Sequence, residues 1–262
     1  MDLTKDGVTD IAYYNNNYNP SMTPIGTALV GIPGLYESVY QGTMAYHKVS
    51  QQSPILDIDF LKNGVRPIGT LLLPSYEFWT TGKEIKVPED LKGAKVRGPG
   101  GILNNTLEYL GAVPINISVT EMYEAFDRGV VDVVNMYGGG IQDYGLDELV
   151  TFGTQNYNFG GVGVGLIINE NRWQGLPENV KKAINQAGDE FTESMANYYQ
   201  QREEDIYAEF KNSDKVNIHE LSENERKQWQ KVYNDFQEEW IKKQDSEDFT
   251  KAIEMFKEEL KK

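Results

Sequence analysis

Short apolar runs alternate with helical patterns between residues 95 and 137. "AKVR", "VPINISV" and "VVDVVNMY" read as strands, and Gly129 ends a helical stretch that precedes the third of them. A second helical stretch, ended by Gly111, has its apolar residues on one side: Ile102, Leu103, Thr106, Leu107 and Leu110. Such alternation with short connections predicts parallel strands joined by right-handed crossovers. This part of the chain is therefore predicted to be α/β.

Ligands of such sheets lie beyond the carboxyl ends of the strands. The predicted strand ends are Arg97, Ser118 with Val119, and Asn135 with Met136. Ser118 also matches a capping box with Glu121 and predicts a helix that starts there.

One long helix is predicted near the middle of the chain. After the strand-like "GGVGVGLIINENRW", apolar residues recur at helical spacing from Val180 to Phe210, with Tyr198 among them. About 30 residues at about 1.5 Å each give roughly 45 Å, longer than one lobe, so the helix is expected to span two lobes. Ser222 with Glu225 caps a further helix, and a last one follows from residue 249.

Two segments look alike, "DRGVVDVVNMY" at 127–137 and "KDGVTDIAYYN" at 5–15. Either the second lobe repeats the first or the similarity is chance. If the repeat is real, two strands and two helices should precede Gly7, where the chain supplies six residues. The chain is then expected to begin inside its first lobe, and Met1 to be an internal methionine.

The composition of the chain disfavours several classes of binding partner and functional site. With 25 Lys+Arg and 40 Asp+Glu the net charge is −15, which disfavours nucleic acid and anionic membranes as partners. There is no cysteine, and His47 and His219 are the two histidines, so neither a metal site nor a catalytic triad is expected. No apolar run is long enough to span a membrane, and residues 1–20 are too polar for a signal peptide.

Arg97 is the strongest candidate for ligand binding. A guanidinium binds a carboxylate through two parallel hydrogen bonds, and the Gly98–Gly101 turn is expected to bring backbone amides and a helix N-terminus to the same anion. The alternative is a surface arginine paired with a nearby acid. Phosphate is disfavoured because neither G-x-x-x-x-G-K-[ST] nor G-x-G-x-x-G fits these glycines. The glycines of "YGGGIQDYG" at 137–145 read as a tight connection.

Aromatic and amide residues gather near the predicted strand ends, in "IAYYNNNYNP", "LPSYEFWTTGK" and "TQNYNFGG". Each alone is typical of a core or loop, but together they fit a cleft that holds an organic body. No G-x-S-x-G motif or acid pair beside Arg97 indicates hydrolysis. Glu77 and Asp132 are the nearest acids, and Asp132 reads as bracing its turn. No catalytic residue and no cofactor is expected.

At this point the chain resembles a known family. "EDLKGAKVRGPGG", "LGAVPINISVTEMYEAFDRGVVDVVN" and "LIINENRWQGLPENVKKAI" are similar to segments of the DctP-type solute-binding proteins of TRAP transporters, and weaker similarity covers nearly the whole chain. The resemblance implies a periplasmic-binding-protein-like α/β fold whose two lobes, joined by crossing strands and a long helix, close over an organic acid. It also implies an extracytoplasmic location, in the periplasm or lipid-anchored on the cytoplasmic membrane, and hand-over to TRAP membrane subunits.

The resemblance also implies ligand contacts. Arg97 matches the family's carboxylate-binding arginine, and the contacts of sialic-acid-binding members fall on Tyr14, Asn15, Val119, Asn135 and Met136. Glu77 occupies the position of a second arginine in those members, and Met136 that of an amide. Both departures disfavour sialic acid and favour a monocarboxylate with a less polar body. Four residues complete the expected ligand-binding set: Tyr76, Trp79, Tyr137 and Asn158.

The expected division assigns 1–74 and 162–201 to lobe I, which lacks its N-terminal strands and helices. Lobe II takes 75–161 and 202–262, with the C-terminal helices. Two other functions stay open on the same scaffold, a carboxylate-processing enzyme and a ligand-sensing module that docks to a receptor.

Overall fold

A computed structural model describes residues 1–18 and 20–262. Within them the chain forms nine strands in two sheets, with helices packed against both. The strands are β1 (Ile11–Asn15), β2 (Val65–Leu72), β3 (Glu77–Thr80), β4 (Lys95–Gly98), β5 (Val113–Asn116), β6 (Val133–Met136), β7 (Phe152–Gln155), β8 (Gly163–Asn169) and β9 (Asn217–Glu220).

The described α-helices vary from a single turn to almost ten turns. They are α1 (Asp2–Lys5), α2 (Pro24–Gly31), α3 (Val39–Ser50), α4 (Gly101–Tyr109), α5 (Met122–Asp127), α6 (Gly138–Asp143), α7 (Glu170–Gln174), α8 (Glu178–Asn212), α9 (Glu223–Gln244) and α10 (Glu247–Glu259). The predicted long helix is α8, with 35 residues. The predicted capping box of Ser222 and Glu225 starts α9.

The first sheet has the order β1-β8-β2 and is antiparallel. The second has the order β5-β4-β6-β3-β7-β9. In it β4 pairs parallel with both β5 and β6, as the strand and helix alternation predicts. The carboxyl ends of these three strands therefore meet at one edge of the sheet.

The chain passes between the sheets from β2 to β3 and from β7 to β8, and α8 packs against both. Near its start, Gly188 of α8 lies against the carbonyl of Ile68 in β2. Near its end, the hydroxyl of Tyr207 donates to the carbonyl of Thr154 in β7 over 3.1 Å. The fold is thus the expected two-lobed α/β fold, with crossing strands and one helix that reaches both lobes.

The last helix departs from the expected division. α10 packs against α2 and α3 through Phe249, Ile253 and Phe256, in the cluster that covers the first sheet. Residues 202–262 therefore do not all lie with the second sheet, because α9 carries the chain back across the molecule. The boundaries at 74/75, 161/162 and 201/202 stay a prediction.

Two local expectations are wrong. Ser118 does not cap α5, which begins at Met122; its hydroxyl instead donates to the carboxylate of Glu121 over 2.6 Å. The glycine cluster after β6 is the helix α6 and not a simple connection.

Among residues 1–18 and 20–262, none of the helices combines the length and the apolar character that a membrane span requires.

Candidate functional site

A cavity of about 230 Å³ lies between the two sheets at the carboxyl ends of β4 and β6. Both sheets and α8 contribute to it. Its lining residues are Tyr13, Asn15, Asn17, Tyr18, Leu73, Tyr76, Arg97, Pro99, Val119, Met136, Tyr137, Tyr144, Val162 and Tyr199. Among the described lining residues, Arg97 alone carries a formal charge at neutral pH.

Arg97 is held by main-chain acceptors around it. Its Nε donates to the carbonyl of Ile117 over 3.1 Å, and Nη1 donates to the carbonyl of Asn135 over 3.2 Å. The sulfur of Met136 lies 3.8 Å from Nη1. Because β4 lies between β5 and β6, the residue that follows β5 and a residue of β6 supply these acceptors and fix the direction of the guanidinium.

The guanidinium is buried, with 3% of the residue exposed. Within the part of the chain that the structure describes, no carboxylate forms an ion pair with it. Burial lowers the pKa of Arg97, although an arginine keeps its charge at any physiological pH. The neutral carbonyls satisfy some of its donors and leave its charge uncompensated. A buried cation of this kind favours an anion supplied from outside the chain.

The glycine turn after β4 contributes less than expected. The Gly100 amide, one of the turn amides expected to face the anion, instead donates to the side chain of Asn104 over 3.0 Å. The carbonyl of Gly100 accepts from Asn17 Nδ2 over 3.2 Å. The turn therefore ties residues after β1 to the loop after Arg97, and the Gly100 amide is not free to face the cavity.

The family model for bacterial extracellular solute-binding protein family 7, DctP, matches residues 1–244. This chain belongs to that family. The family is described as extracellular, which agrees with the extracytoplasmic location expected for this chain. Membership in the family confirms the resemblance seen in the sequence.

Two curated relatives are similar to it. The C4-dicarboxylate-binding periplasmic protein DctP of Rhodobacter capsulatus is 28% identical over 163 residues, 59% of this chain and 49% of the relative. The C4-dicarboxylate-binding protein DctB of Bacillus subtilis is 25% identical over 198 residues, 67% of this chain and 55% of the relative. The chain thus spans about half the length of these relatives.

Solved structures show the same fold. A TRAP solute-binding protein from a marine metagenome, specific for aromatic acid ligands and in complex with 3-hydroxybenzoate, matches with a TM-score of 0.87 at 21% identity. The match covers 99% of this chain and 81% of that one. At this identity the likeness concerns the fold.

Six of the residues expected to bind ligand lie together. Arg97 shares the cavity with Asn15, Tyr76, Val119, Met136 and Tyr137. They come from both sheets and from the loops that follow β2, β5 and β6. The sequence placed these residues at or near strand ends, and the structure brings them together in one cavity.

Tyr14 and Trp79 lie elsewhere. Successive side chains of a strand point to opposite faces, so β1 turns Tyr13 and Asn15 to the cavity and Tyr14 to the core, edge-on to Phe60. Trp79 is fully buried in the second sheet, where its indole nitrogen donates to the carbonyl of Met136 over 2.8 Å. Neither side chain lines the cavity.

Two amides are also absent from the described lining. Asn135 contributes its carbonyl to Arg97, while its side chain is buried and donates to the carbonyl of Glu77 over 3.1 Å. Asn158, at φ 51°, lies in the loop after β7, where its carbonyl accepts from the amide of Gly34 over 2.8 Å. That loop faces two other cavities on a different part of the surface.

Several lining residues were missed from sequence. Asn17 and Tyr18 belong to "IAYYNNNYNP", a segment expected at a cleft without these two residues being singled out, and Tyr144 lies in "YGGGIQDYG", a segment that reads as a tight connection. Tyr199 reaches the cavity from α8, whereas its neighbour Tyr198, counted in the apolar stripe, is 50% exposed. The described residues contain no group of three or more His, Cys, Asp or Glu arranged to hold a metal ion.

Proposed function

We propose that this chain captures a small organic monocarboxylate between its two lobes and delivers it to TRAP membrane subunits outside the cytoplasm. The observation that carries the proposal is the buried guanidinium of Arg97, which has no carboxylate partner among the described residues and lies in the wall of a cavity between the two sheets. A ligand carboxylate supplies the missing negative charge. Closure then desolvates the ion pair and strengthens it.

The charge of the cavity favours one carboxylate over two. The curated relatives in Rhodobacter capsulatus and Bacillus subtilis are named for C4-dicarboxylates. Here the described lining has a single cation, and Glu77, next to Tyr76, is buried with its carboxylate turned to Thr154 and Tyr157. A second ligand carboxylate would lie among tyrosines without a cation. The cost of burying that charge favours a monocarboxylate.

The size and walls of the cavity favour a compact, flat body. An engineered protein cavity of about 150 Å³ holds benzene, so about 230 Å³ has room for a ring and a carboxylate. Six tyrosines line the cavity: Tyr13, Tyr18, Tyr76, Tyr137, Tyr144 and Tyr199. Aromatic walls stack against such a body. A neighbour of the same fold is specific for aromatic acid ligands, which supports benzoate-like acids as first candidates.

Calorimetry with benzoate, benzamide and succinate tests the proposal. Benzoate should bind, while benzamide, which lacks the charge, and succinate, which carries two, should bind at least tenfold more weakly. Arg97→Met should lose about a hundredfold in benzoate affinity, since hydrogen bonds to charged groups contribute about 1.5–3 kcal/mol each. Arg128→Met, which removes an exposed arginine, is the control. Unchanged affinity in Arg97→Met would refute the assignment.

The enzyme and sensor alternatives predict different outcomes. A binding protein releases benzoate unchanged, and mass spectrometry after incubation would reveal conversion by an enzyme. Genes for TRAP membrane subunits beside this gene support transport, whereas a kinase or chemoreceptor gene supports sensing.

A further inference from the structure

Helix α6, which is short and rich in glycine, lies between two residues of the cavity wall. It has six residues, Gly138–Asp143, and its flanking residues Tyr137 and Tyr144 both line the cavity. A helix of this length is not stable alone, and three successive glycines lower its stability further. Contacts from other elements must therefore determine where these two tyrosines lie.

The long helix α8 supplies the contact at the start of α6. The carboxylate of Glu203 accepts from the amide of Gly138 over 3.1 Å and from that of Gly139 over 2.6 Å. A carboxylate is favourable at a helix N-terminus because the free amides carry partial positive charge. A Cβ at either glycine would lie 3.0 Å from a Glu203 oxygen, so the approach depends on glycine.

The preceding residue of α8 holds the other end of α6. Arg202 Nη2 donates to Asp143 Oδ1 over 2.6 Å, and Nη1 donates to the hydroxyl of Tyr198 over 3.2 Å. An aspartate at a helix C-terminus is unfavourable without such a partner. Arg202 and Glu203 thus grip both ends of α6 from consecutive positions on α8.

We propose that Arg202 and Glu203 are positioning residues for acid binding, which hold α6 so that Tyr137 and Tyr144 form one wall of the Arg97 cavity. Neither belongs to the described lining of that cavity. Their effect on affinity passes through α6. The inference rests on the proposed capture of a monocarboxylate, and it adds that ligand affinity is determined partly from the helix that reaches both lobes.

The surroundings of Glu203 make this grip sensitive to pH. Burial raises its pKa to about 7, while the two glycine amides and Arg202 act in the opposite direction. The other ionisable groups near it are Glu204 and Tyr207 on α8, Asp143 on α6, Glu77 on β3, and Glu37 before α3. Protonation removes acceptor capacity from Glu203, so its hydrogen bonds to the amides of Gly138 and Gly139 weaken as the pH falls through about 7. Benzoate and Arg97 do not titrate in that range.

The test compares the full chain with Glu203→Gln and Arg202→Met, using benzoate as the probe between pH 6 and 8. Each variant should bind benzoate at least tenfold more weakly at pH 8. Wild type should lose affinity from pH 8 to 6, and the loss should be clearly smaller in Glu203→Gln. Arg202→Lys, which keeps a donor, should recover most of the affinity. Glu204→Gln, on the next residue of α8, should match wild type.

Hydrogen exchange gives a second measurement that needs no ligand. The amides of residues 138–143 should exchange at least tenfold faster in Glu203→Gln and Arg202→Met than in Glu204→Gln. Wild-type affinity and pH dependence in Glu203→Gln would overturn the inference, and so would faster exchange in α6 without weaker binding. If wild type bound no acid, the proposed function would fall, and exchange alone would decide whether α8 holds α6.

Discussion

Glu77 and Thr154 are in contact inside the second lobe, where the threonine hydroxyl donates to a carboxylate oxygen over 2.6 Å. The amide of Tyr157 donates to the other oxygen over 3.1 Å. Only 3% of Glu77 is exposed, and burial raises its pKa from 4.5 to about 8, in spite of these donors. Glu77 thus braces the core of the second lobe and does not line the cavity.

This burial predicts how stability changes with pH. Between about pH 4.5 and about pH 8 the folded state binds more protons at Glu77 than the unfolded state does. The free energy of unfolding should therefore fall as the pH rises, by up to about 1.4 kcal/mol per pH unit. Glu77→Gln should flatten this slope in urea denaturation across that range, whereas the exposed Glu124→Gln should not. An equal slope in wild type and Glu77→Gln would contradict the prediction.

The packing of α8 on β2 gives a second prediction. A Cβ at Gly188 would lie 1.6 Å from the carbonyl oxygen of Ile68, so Gly188→Ala requires the helix to move. We expect a loss of about 3 kcal/mol or more in the free energy of unfolding, at the upper end of overpacking costs. Asn185→Ala, on the exposed side of the same helix, should cost little. Urea titration measures the free energy of unfolding of both variants. Equal values for Gly188→Ala and Asn185→Ala would show that α8 does not pack this closely on β2.

The bond between Asn17 and Gly100 gives a third prediction. It joins the segment after β1 to the turn that follows Arg97, across the cavity. Asn17→Leu leaves the buried carbonyl of Gly100 without this donor, at a cost of roughly 1–3 kcal/mol. If the bond forms as the lobes close, benzoate affinity should fall about tenfold. Calorimetry measures it, with the exposed Asn234→Leu as control, and wild-type affinity would mean that the bond does not contribute to closure.

Periodicity and strand ends predicted the main features of this molecule. The 3.6-residue repeat located α8, and the alternation of strand and helix located β4, β5 and β6 with Arg97 at an end. Both signals are local, because a helix or buried strand imposes its own spacing on the apolar residues. They sufficed for the fold and for six residues that share the cavity around Arg97.

One error overlooked the alternation of side chains along a strand, and the others arose where long-range packing determines which way a side chain points. Tyr14 and Asn15 are neighbours on one strand, and strand geometry alone excludes that both face the cavity. Trp79 lies at a predicted strand end but turns to Tyr207, which comes from α8 far along the chain. On α8 itself Tyr199 rather than Tyr198 reaches the site, because the helix rests on one sheet at its start and on the other at its end.

The missing counter-charge of Arg97 has a consequence for the empty protein. If Arg97 binds a ligand carboxylate as proposed, closing the lobes without an anion would bury this cation at a cost of several kcal/mol, which would favour an open form of the unliganded protein. The closed form of the two lobes would then indicate that a ligand is bound. Unliganded copies would then not compete for a membrane partner that recognises the closed surface. The same arginine would both bind the ligand and make closure depend on the bound ligand.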